Sequence, residues 1–212
     1  LAEAGADVVV GDRHVEAGEA AAAEIAEATG VEPLHVETDV TDPTAVQRMV
    51  DEAVERLGGV DVLVNNAGVV EHVAAEEMTD EEWTRVIDVN LTGAFYCARA
   101  VGREMIAPDG GRIVNVSSVS AFIANHPQEQ VSYQASKAGM EGMKTQLASE
   151  WAEFDVRVNN INPGYIETDI LTHVEELIET WKSEMLLDEF GTPEDISPLA
   201  VYLASDAAAY VT

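Results

Sequence analysis

The chain has 212 residues, 47% of them hydrophobic, enough for one sizeable core and short for two domains. Eleven basic against 40 acidic residues give a net charge of −29, which excludes the basic footprint of a nucleic-acid-binding protein, and no apolar run reaches the roughly 20 residues of a membrane span. The reading is one soluble, cytoplasmic domain in which Cys97, the single cysteine, is a small buried hydrophobe, with neither a disulfide nor a cysteine-based metal site possible within the chain.

Short β-branched runs alternate with helical periodicities along the chain. VVVG at 8–11, LHVE at 34–37, VDVLVN at 60–65, RIVNVS at 112–117 and VRVNNI at 156–161 read as strands buried on both faces. Between them Val46, Met49, Val50, Ala53, Val54 and Leu57 recur at helical spacing, as do the apolar positions of 138–151. The alternation predicts an α/β fold, a doubly wound parallel sheet with helices on both sides in three layers. Gly5 closes an opening helical fragment, and Thr192-Pro193-Glu194-Asp195 starts a late helix with a cap, a proline in the first turn and an acid three residues beyond the cap. The 171–190 stretch is helical in pattern and carries Trp181, Met185 and Leu186 as exposed-looking apolar residues. The acids are spread over helices (EAGEAAAAEIAEA, DEAVERL, EELIETW), a solvated surface rather than a binding patch. That pattern resembles halophilic proteins. Self-repulsion on this scale becomes tolerable as the Debye length shrinks from about 10 Å at 0.1 M salt to about 3 Å at 1 M, so structure is expected to weaken at low ionic strength.

Chemistry concentrates in a few places. Only three lysines occur, and one of them, Lys137, follows Tyr133 by four residues on a predicted helix, hence on the same face. An ammonium about 4 Å from a phenol, at an effective dielectric near 20, is worth roughly 4 kcal/mol to the phenolate. Burial opposes it; the expected net result is a tyrosine with a lowered pKa that exchanges its proton near neutral pH. Upstream, a strand ends in NVSSVS, and ligands of a parallel sheet sit at the carboxyl ends of its strands. Ser118 there could offer its hydroxyl to the substrate oxygen that Tyr133 protonates, with Ser117 as the alternative. A third strand runs into Asn65, Asn66, Ala67 and Gly68, small and amide residues that allow a flat ligand to lie against backbone.

In their order along the chain these motifs resemble a short-chain dehydrogenase/reductase of the NAD(P)-dependent kind, with a Rossmann-like fold. The resemblance runs nearly end to end: DVT at Asp39, NNAG at 65–68, the asparagine of VNLTG at Asn90, NVSS, YQASK, and NPGYIETD at 162–169. It implies an oxidoreductase that moves a hydride between NAD(P) and a secondary alcohol or ketone. Tyr133 is then the general acid or base, Lys137 lowers its pKa and holds the nicotinamide ribose, Ser118 steadies the substrate oxygen and Asn90 anchors a water-mediated proton path to Lys137. Cofactor contacts follow by position. Asp12, at a strand end, accepts from the adenosine ribose and repels a 2′-phosphate, which favours NAD over NADP although Arg13 stands beside it. Asp39 and Val40 resemble adenine contacts, Asn65, Ala67 and Gly68 the ribose wall, and Pro163, Gly164, Ile166 and Thr168 the loop at the nicotinamide amide and pyrophosphate.

PQEQVSY, in a loop slightly longer than the family's common form, resembles the branch acting on polyols, sugars and sugar acids, and its amides with His126 could bond several hydroxyls. His14, His35, His72 and His173 show no metal-ligand spacing and read as surface or packing. Residues 171–190 resemble the variable lid. Relatives are homodimers or homotetramers built on helices matching 90–107 and 131–151, whose apolar faces here include Phe95, Ala98 and Met143. The glycine-rich turn and first strand of the family are not seen before VVVG, nor a strand after AYVT, so a portion truncated at both ends is expected. The rival readings are a nucleotide-binding protein without turnover, for which the intact Ser, Tyr, Lys and Asn set is unfavourable, and an acidic protein-binding surface, against which the dispersal of the acids speaks.

Overall fold

The computed structural model describes residues 1–106, 110–168, 177–187 and 189–212. Among the described residues five strands form, each on a β-branched run named above: β1 (Val9–Asp12), β2 (Leu34–Glu37), β3 (Val62–Asn65), β4 (Gly111–Val116) and β5 (Val156–Ile161). They pair in parallel, as β1-β2 and as β3-β4-β5, with Asn65, Asn115 and Asn160 opposite one another in the second ladder. Helices alternate with them: α1 (Val15–Thr29), α2 (Pro43–Leu57), α3 (Asp80–Ile87), α4 (Ala94–Ile106), α5 (Val131–Trp151), α6 (Ile178–Glu184) and α7 (Pro193–Ala204). Among the described residues no helix is long and apolar enough to cross a membrane.

Local chemistry explains where these helices begin and end. Asp42 caps α2 by accepting from the Thr44 N–H at 2.8 Å, Pro43 takes the first helical position, and Gly58 ends the helix at φ 89°, where a side chain would be strained. The expected cap of α7 is present as a reciprocal box between Thr192 and Asp195, and α3 has the same box between Thr79 and Glu82. Between α3 and α4 the chain makes a π-helical turn, Asp88–Gly93, which the sequence pattern does not announce.

Successive residues of β4 point to opposite faces and so hold two cores apart. Ile113 joins Val46, Val50, Ala98, Met105 and Leu147 of the α2, α4 and α5 layer; Val114 joins Ile161, Leu203 and Ala208 under α7. Cys97 lies in the first core and burial pushes its thiol up to about 11, so it packs as an inert hydrophobe. Ala98 is fully buried in this core. One expectation of exposure is corrected here: Trp181 is 1% exposed because α6 turns it inward onto Tyr165. Leu186 is exposed as expected. Asp169, His173 and the rest of 169–176, with Ala107 and residue 188, lie outside the described residues.

The end of the chain is tied down by a buried arginine. Arg157, on β5, donates to the carbonyls of Ala208 (2.7 Å), Ser205 (3.2 Å), Leu203 (3.4 Å) and Val211 (3.4 Å), and Asn159 donates to Val211 O at 2.9 Å. The Thr212 hydroxyl lies against the backbone of Val158.

Candidate active site

The carboxyl ends of β3, β4 and β5 are welded together beneath the site by a buried amide ladder. Asn65 Nδ2 donates to Asn115 Oδ1 (2.9 Å), Asn115 Nδ2 to Asn160 Oδ1 (2.8 Å) and Asn160 Nδ2 to Met140 O on α5 (3.2 Å). Asn65 also donates to Ala94 O at the start of α4. Asn115 and Asn160 each both accept and donate and Asn65 donates twice, so one residue per strand, in register, ties two helices to the sheet. The Asn65 side chain is thus turned into the sheet, and Asn66 lines the cleft above.

That cleft, about 690 Å³, is lined by Ala67, Gly68, Ser118, Tyr133, Lys137, Pro163, Gly164, Ile166 and Thr168 among others. Tyr133 and Lys137 share a face of α5, the Lys137 Nζ 5.5 Å from the Tyr133 ring centre. Lys137 is 4% exposed and donates to Val116 O at 2.7 Å, while its own carbonyl accepts from the Ser117 hydroxyl, so β4 and α5 are clasped where they carry the site. With Ser117 spent on that clasp, Ser118 is the serine in contact with the Tyr133 phenol. Its hydroxyl also donates to Ser120 Oγ (3.0 Å) and accepts from the Ser120 N–H.

Asn90 lies buried in the π-helical turn. Its Nδ2 donates to Val69 O (2.9 Å) and Ser136 Oγ (3.0 Å), and its Oδ1 accepts from Val69 N (2.8 Å). Both amide hydrogens therefore serve to hold the segment after Gly68 against α5. A Cβ built on Gly68 would stand 3.6 Å from Asn90 Oδ1 and 3.7 Å from Lys137 Nζ, which brings all three residues to one spot. Gly93 ends the turn and must be glycine, since a Cβ would come within 2.7 Å of Val40.

The electrostatics correct one expectation. Burial pushes the Tyr133 phenol above its ordinary value, and the Ser118 hydrogen bond opposes this only in part. Burial also brings Lys137 down to about 8. Desolvation is the leading cause of both shifts, and the Lys137 ammonium donates to Val116 O rather than to the phenol.

Residues named for the adenosine end do not line this cleft. Asp12, closing β1, accepts from His14 N at 2.7 Å; Asp39 accepts from the Thr41 N–H (2.9 Å) and hydroxyl (2.8 Å), which with a smaller pull from Arg13 holds its carboxyl below the usual range. His126 is exposed and stands outside the cleft wall, so of the side chains between Ser120 and Tyr133 those that reach it are the amides of Asn125, Gln128 and Gln130. His72 does line it, against its reading as plain surface or packing, and partial burial keeps its imidazole below its ordinary pKa. Tyr165 and Trp181 are also in the wall; the sequence signal for Tyr165 is its place in the NPGYIETD run, and that for Trp181 its place in the lid-like 171–190 stretch. A nicotinamide nucleotide fits this donor set: the open face at Gly68, the buried ammonium beside it and the Pro163-Gly164 backbone form a cradle free of bulky side chains.

Comparison with known proteins agrees with this geometry. A family model described as enoyl-(acyl carrier protein) reductase matches residues 1–212. Galactitol 2-dehydrogenase of Rhizobium johnstonii is 42% identical over 219 residues, covering 100% of this chain and 83% of that protein. The crystal structure of a short-chain type dehydrogenase/reductase from Mycobacterium marinum superposes with a TM-score of 0.97 at 39% identity, over 100% of this chain and 83% of that one. A gluconate 5-dehydrogenase from Burkholderia cenocepacia, solved with NADP and tartrate, gives 0.93 at 30% identity over the same shares.

Proposed function

The chain belongs to the short-chain dehydrogenase/reductase family, NAD(P)-dependent oxidoreductases, and from that membership we propose that it interconverts a secondary alcohol and its ketone, with a polyol or sugar as substrate. The observation that carries the reading is the meeting of Ser118, Tyr133 and Lys137 with Gly68 and Asn90 at one cleft above the carboxyl ends of β3 to β5. The similarity to a galactitol 2-dehydrogenase supports the substrate class.

A nicotinamide nucleotide held in the cleft by the residues named below would supply the hydride acceptor or donor for the carbinol carbon. The chain's own side chains handle the proton. In oxidation the ionised Tyr133 oxygen accepts the hydroxyl proton; in reduction the phenol returns one to the forming alkoxide. Ser118 donates to the same substrate oxygen, and Lys137 keeps a positive charge beside the phenol and a donor for the nicotinamide ribose. Asn90, with a lone pair left on Oδ1, is the place for a water on the path from Lys137 to solvent. Ala67, Gly68, Pro163, Gly164, Ile166 and Thr168 would hold the nicotinamide half, and Asp12, Asp39 and Val40 the adenosine half. The Asp12 carboxylate favours NAD over NADP, since a 2′-phosphate would meet a like charge. A homodimer or homotetramer through α4 and α5 is part of the same proposal; Ala98 is in the core and Met143 packs partly against it, while Phe95 is exposed for such an interface. Screening the full-length enzyme in molar KCl, with NAD and NADP, against polyols, sugars, sugar acids and simple secondary alcohols tests the proposal. Absence of hydride transfer with every alcohol overturns it.

The two displaced pKa values set an expected pH profile. Oxidation needs Tyr133 without its proton and burial holds the phenol above its ordinary value, so kcat/KM for the alcohol climbs throughout about pH 6 to 8, while that for ketone reduction, which uses the protonated phenol, stays level there. Above about 8 Lys137 sheds its proton, its charge no longer favours the phenolate, and the rise flattens. Profiles in both directions check this; an oxidation rate level across that range contradicts it.

A halophilic cytoplasm is the proposed setting. Among the described residues two acid–base contacts occur, Arg85 with Glu71 and Arg112 with Asp206, so most of the −29 charge has no neutralising neighbour. The thermal midpoint followed by circular dichroism is expected to climb between about 0.1 M and 3 M KCl as the Debye length contracts. An unchanged midpoint removes the idea.

A further inference from the structure

Building on the oxidoreductase reading of the same cleft, we infer that its outer wall recognises an uncharged polyhydroxy chain, an alditol or its ketose, through the Tyr165 hydroxyl, and refuses the matching carboxylates and phosphate esters. The Tyr165 oxygen accepts from Asn125 Nδ2 (3.3 Å) and Gln128 Nε2 (3.2 Å). A phenol that takes two donors keeps its own proton for a third direction. Among the described residues nothing accepts that proton, and Tyr165 lines the cleft.

The tyrosine is held firmly. Its ring stacks on Trp181 at 4.6 Å and 15°, with Phe190 at 5.6 Å. Trp181 Nε1, a donor only, gives its hydrogen to Gln128 Oε1 at 2.7 Å, which forces the Gln128 nitrogen to be the end facing Tyr165. Backbone bonds from Gly191 N to Tyr165 O (3.0 Å) and from Glu167 N to Gly191 O (2.8 Å) fix the segment from the other side. Gln130 continues the wall inward, donating to Asn125 Oδ1 (3.0 Å) and Ser120 Oγ (3.4 Å), and Ser120 accepts from Ser118. A connected network of hydrogen bonds thus links the Trp181 indole to the Ser118 hydroxyl, with Tyr165 and Ser120 each accepting from both sides, and it sets the orientation of its amides before a ligand arrives.

Charge decides what this wall can take. Among the described residues lining the cleft, Lys137 is the one lysine or arginine and no aspartate or glutamate occurs; His72, below its ordinary pKa, adds no cation at neutral pH. Lys137 sits at the inner end, committed to Val116 O. A carboxylate or phosphate entering the outer part would lose its water without a cation to replace it, inside a protein of net charge −29. A hydroxyl exchanges one hydrogen bond for another, and its carbon chain can pack on the Tyr165 and Trp181 rings.

The test is binding to the full-length Tyr133→Phe enzyme loaded with NADH, which removes turnover. Galactitol, mannitol, sorbitol and xylitol, each paired with its aldonate and its terminal phosphate ester, are titrated by calorimetry in molar KCl. At least one alditol is expected to bind about tenfold or more tightly than both of its anions, and adding Tyr165→Phe, which keeps the stacked ring, is expected to weaken that alditol about tenfold. Equal or tighter binding of the anions, an alditol affinity indifferent to Tyr165→Phe, or no alditol binding at all overturns the inference. Because the readout is affinity in a variant without its proton donor, an enzyme that failed the hydride-transfer screen could still pass here, so the two readings fail separately.

Discussion

Replacing Tyr133 with phenylalanine is expected to lower kcat/KM for alcohol oxidation by about 10³-fold, or roughly 4 kcal/mol of transition-state stabilisation. The substitution deletes one oxygen and leaves the rest in place. The ring remains packed in α5, Lys137 keeps its bond to Val116 O, and Ser118 keeps its bonds with Ser120. What is lost is the phenol that takes the substrate's proton in the proposed reaction: a serine hydroxyl can donate there but does not ionise at these pH values, and Lys137 is turned to a backbone carbonyl. Cofactor affinity should therefore stay near that of the parent while turnover collapses. Steady-state rates and NADH titration of both proteins separate the outcomes. Retention of activity within about tenfold would assign the proton to another group and dissolve the mechanism. A nucleotide-binding protein without catalysis would show equal affinities in the two proteins and turnover in neither.

Arg157→Met is expected to destabilise the fold by about 3 kcal/mol, the largest effect foreseen for a residue away from the cleft. The guanidinium supplies hydrogen bonds to four carbonyls of 203–211, at the end of α7 and beyond it. Methionine fills comparable space and donates nothing, so those carbonyls stay buried without partners or the segment peels away and opens the core of Val114, Ile161, Leu203 and Ala208 to water. Arg157→Lys should restore a minor part, because an ammonium on a flexible stem cannot span the four acceptors that a planar fork reaches. Arg112→Met makes the contrast. Its partner Asp206 is almost fully exposed, and such a pair is worth about 0–1 kcal/mol. Urea midpoints of the three variants, with amide exchange over 205–212, measure this; an Arg157→Met protein as stable as the parent would show that the carbonyls find water without cost.

The residues of the chemistry were readable early because each is declared by its immediate neighbours. Tyr133 and Lys137 face the same way through the pitch of one helix, Ser118 follows a β-branched strand, and Thr192 with Asp195 caps a helix that begins where the pair stands. Dispersed acids and a lone buried cysteine likewise follow from composition. Other features depend on partners distant in the chain. Trp181 looked like surface until the 122–130 loop was seen to place Gln128 against its indole, and Arg157 is intelligible only with 203–211 folded over it. Asn65, Asn115 and Asn160 form a ladder because parallel pairing sets them in register, which strand propensity does not specify. The direction of the Tyr133 pKa also reversed on folding. Spacing along a helix determines how near an ammonium comes, but the depth to which both groups are withdrawn from water is a property of the whole packed molecule, and here that withdrawal is the stronger force.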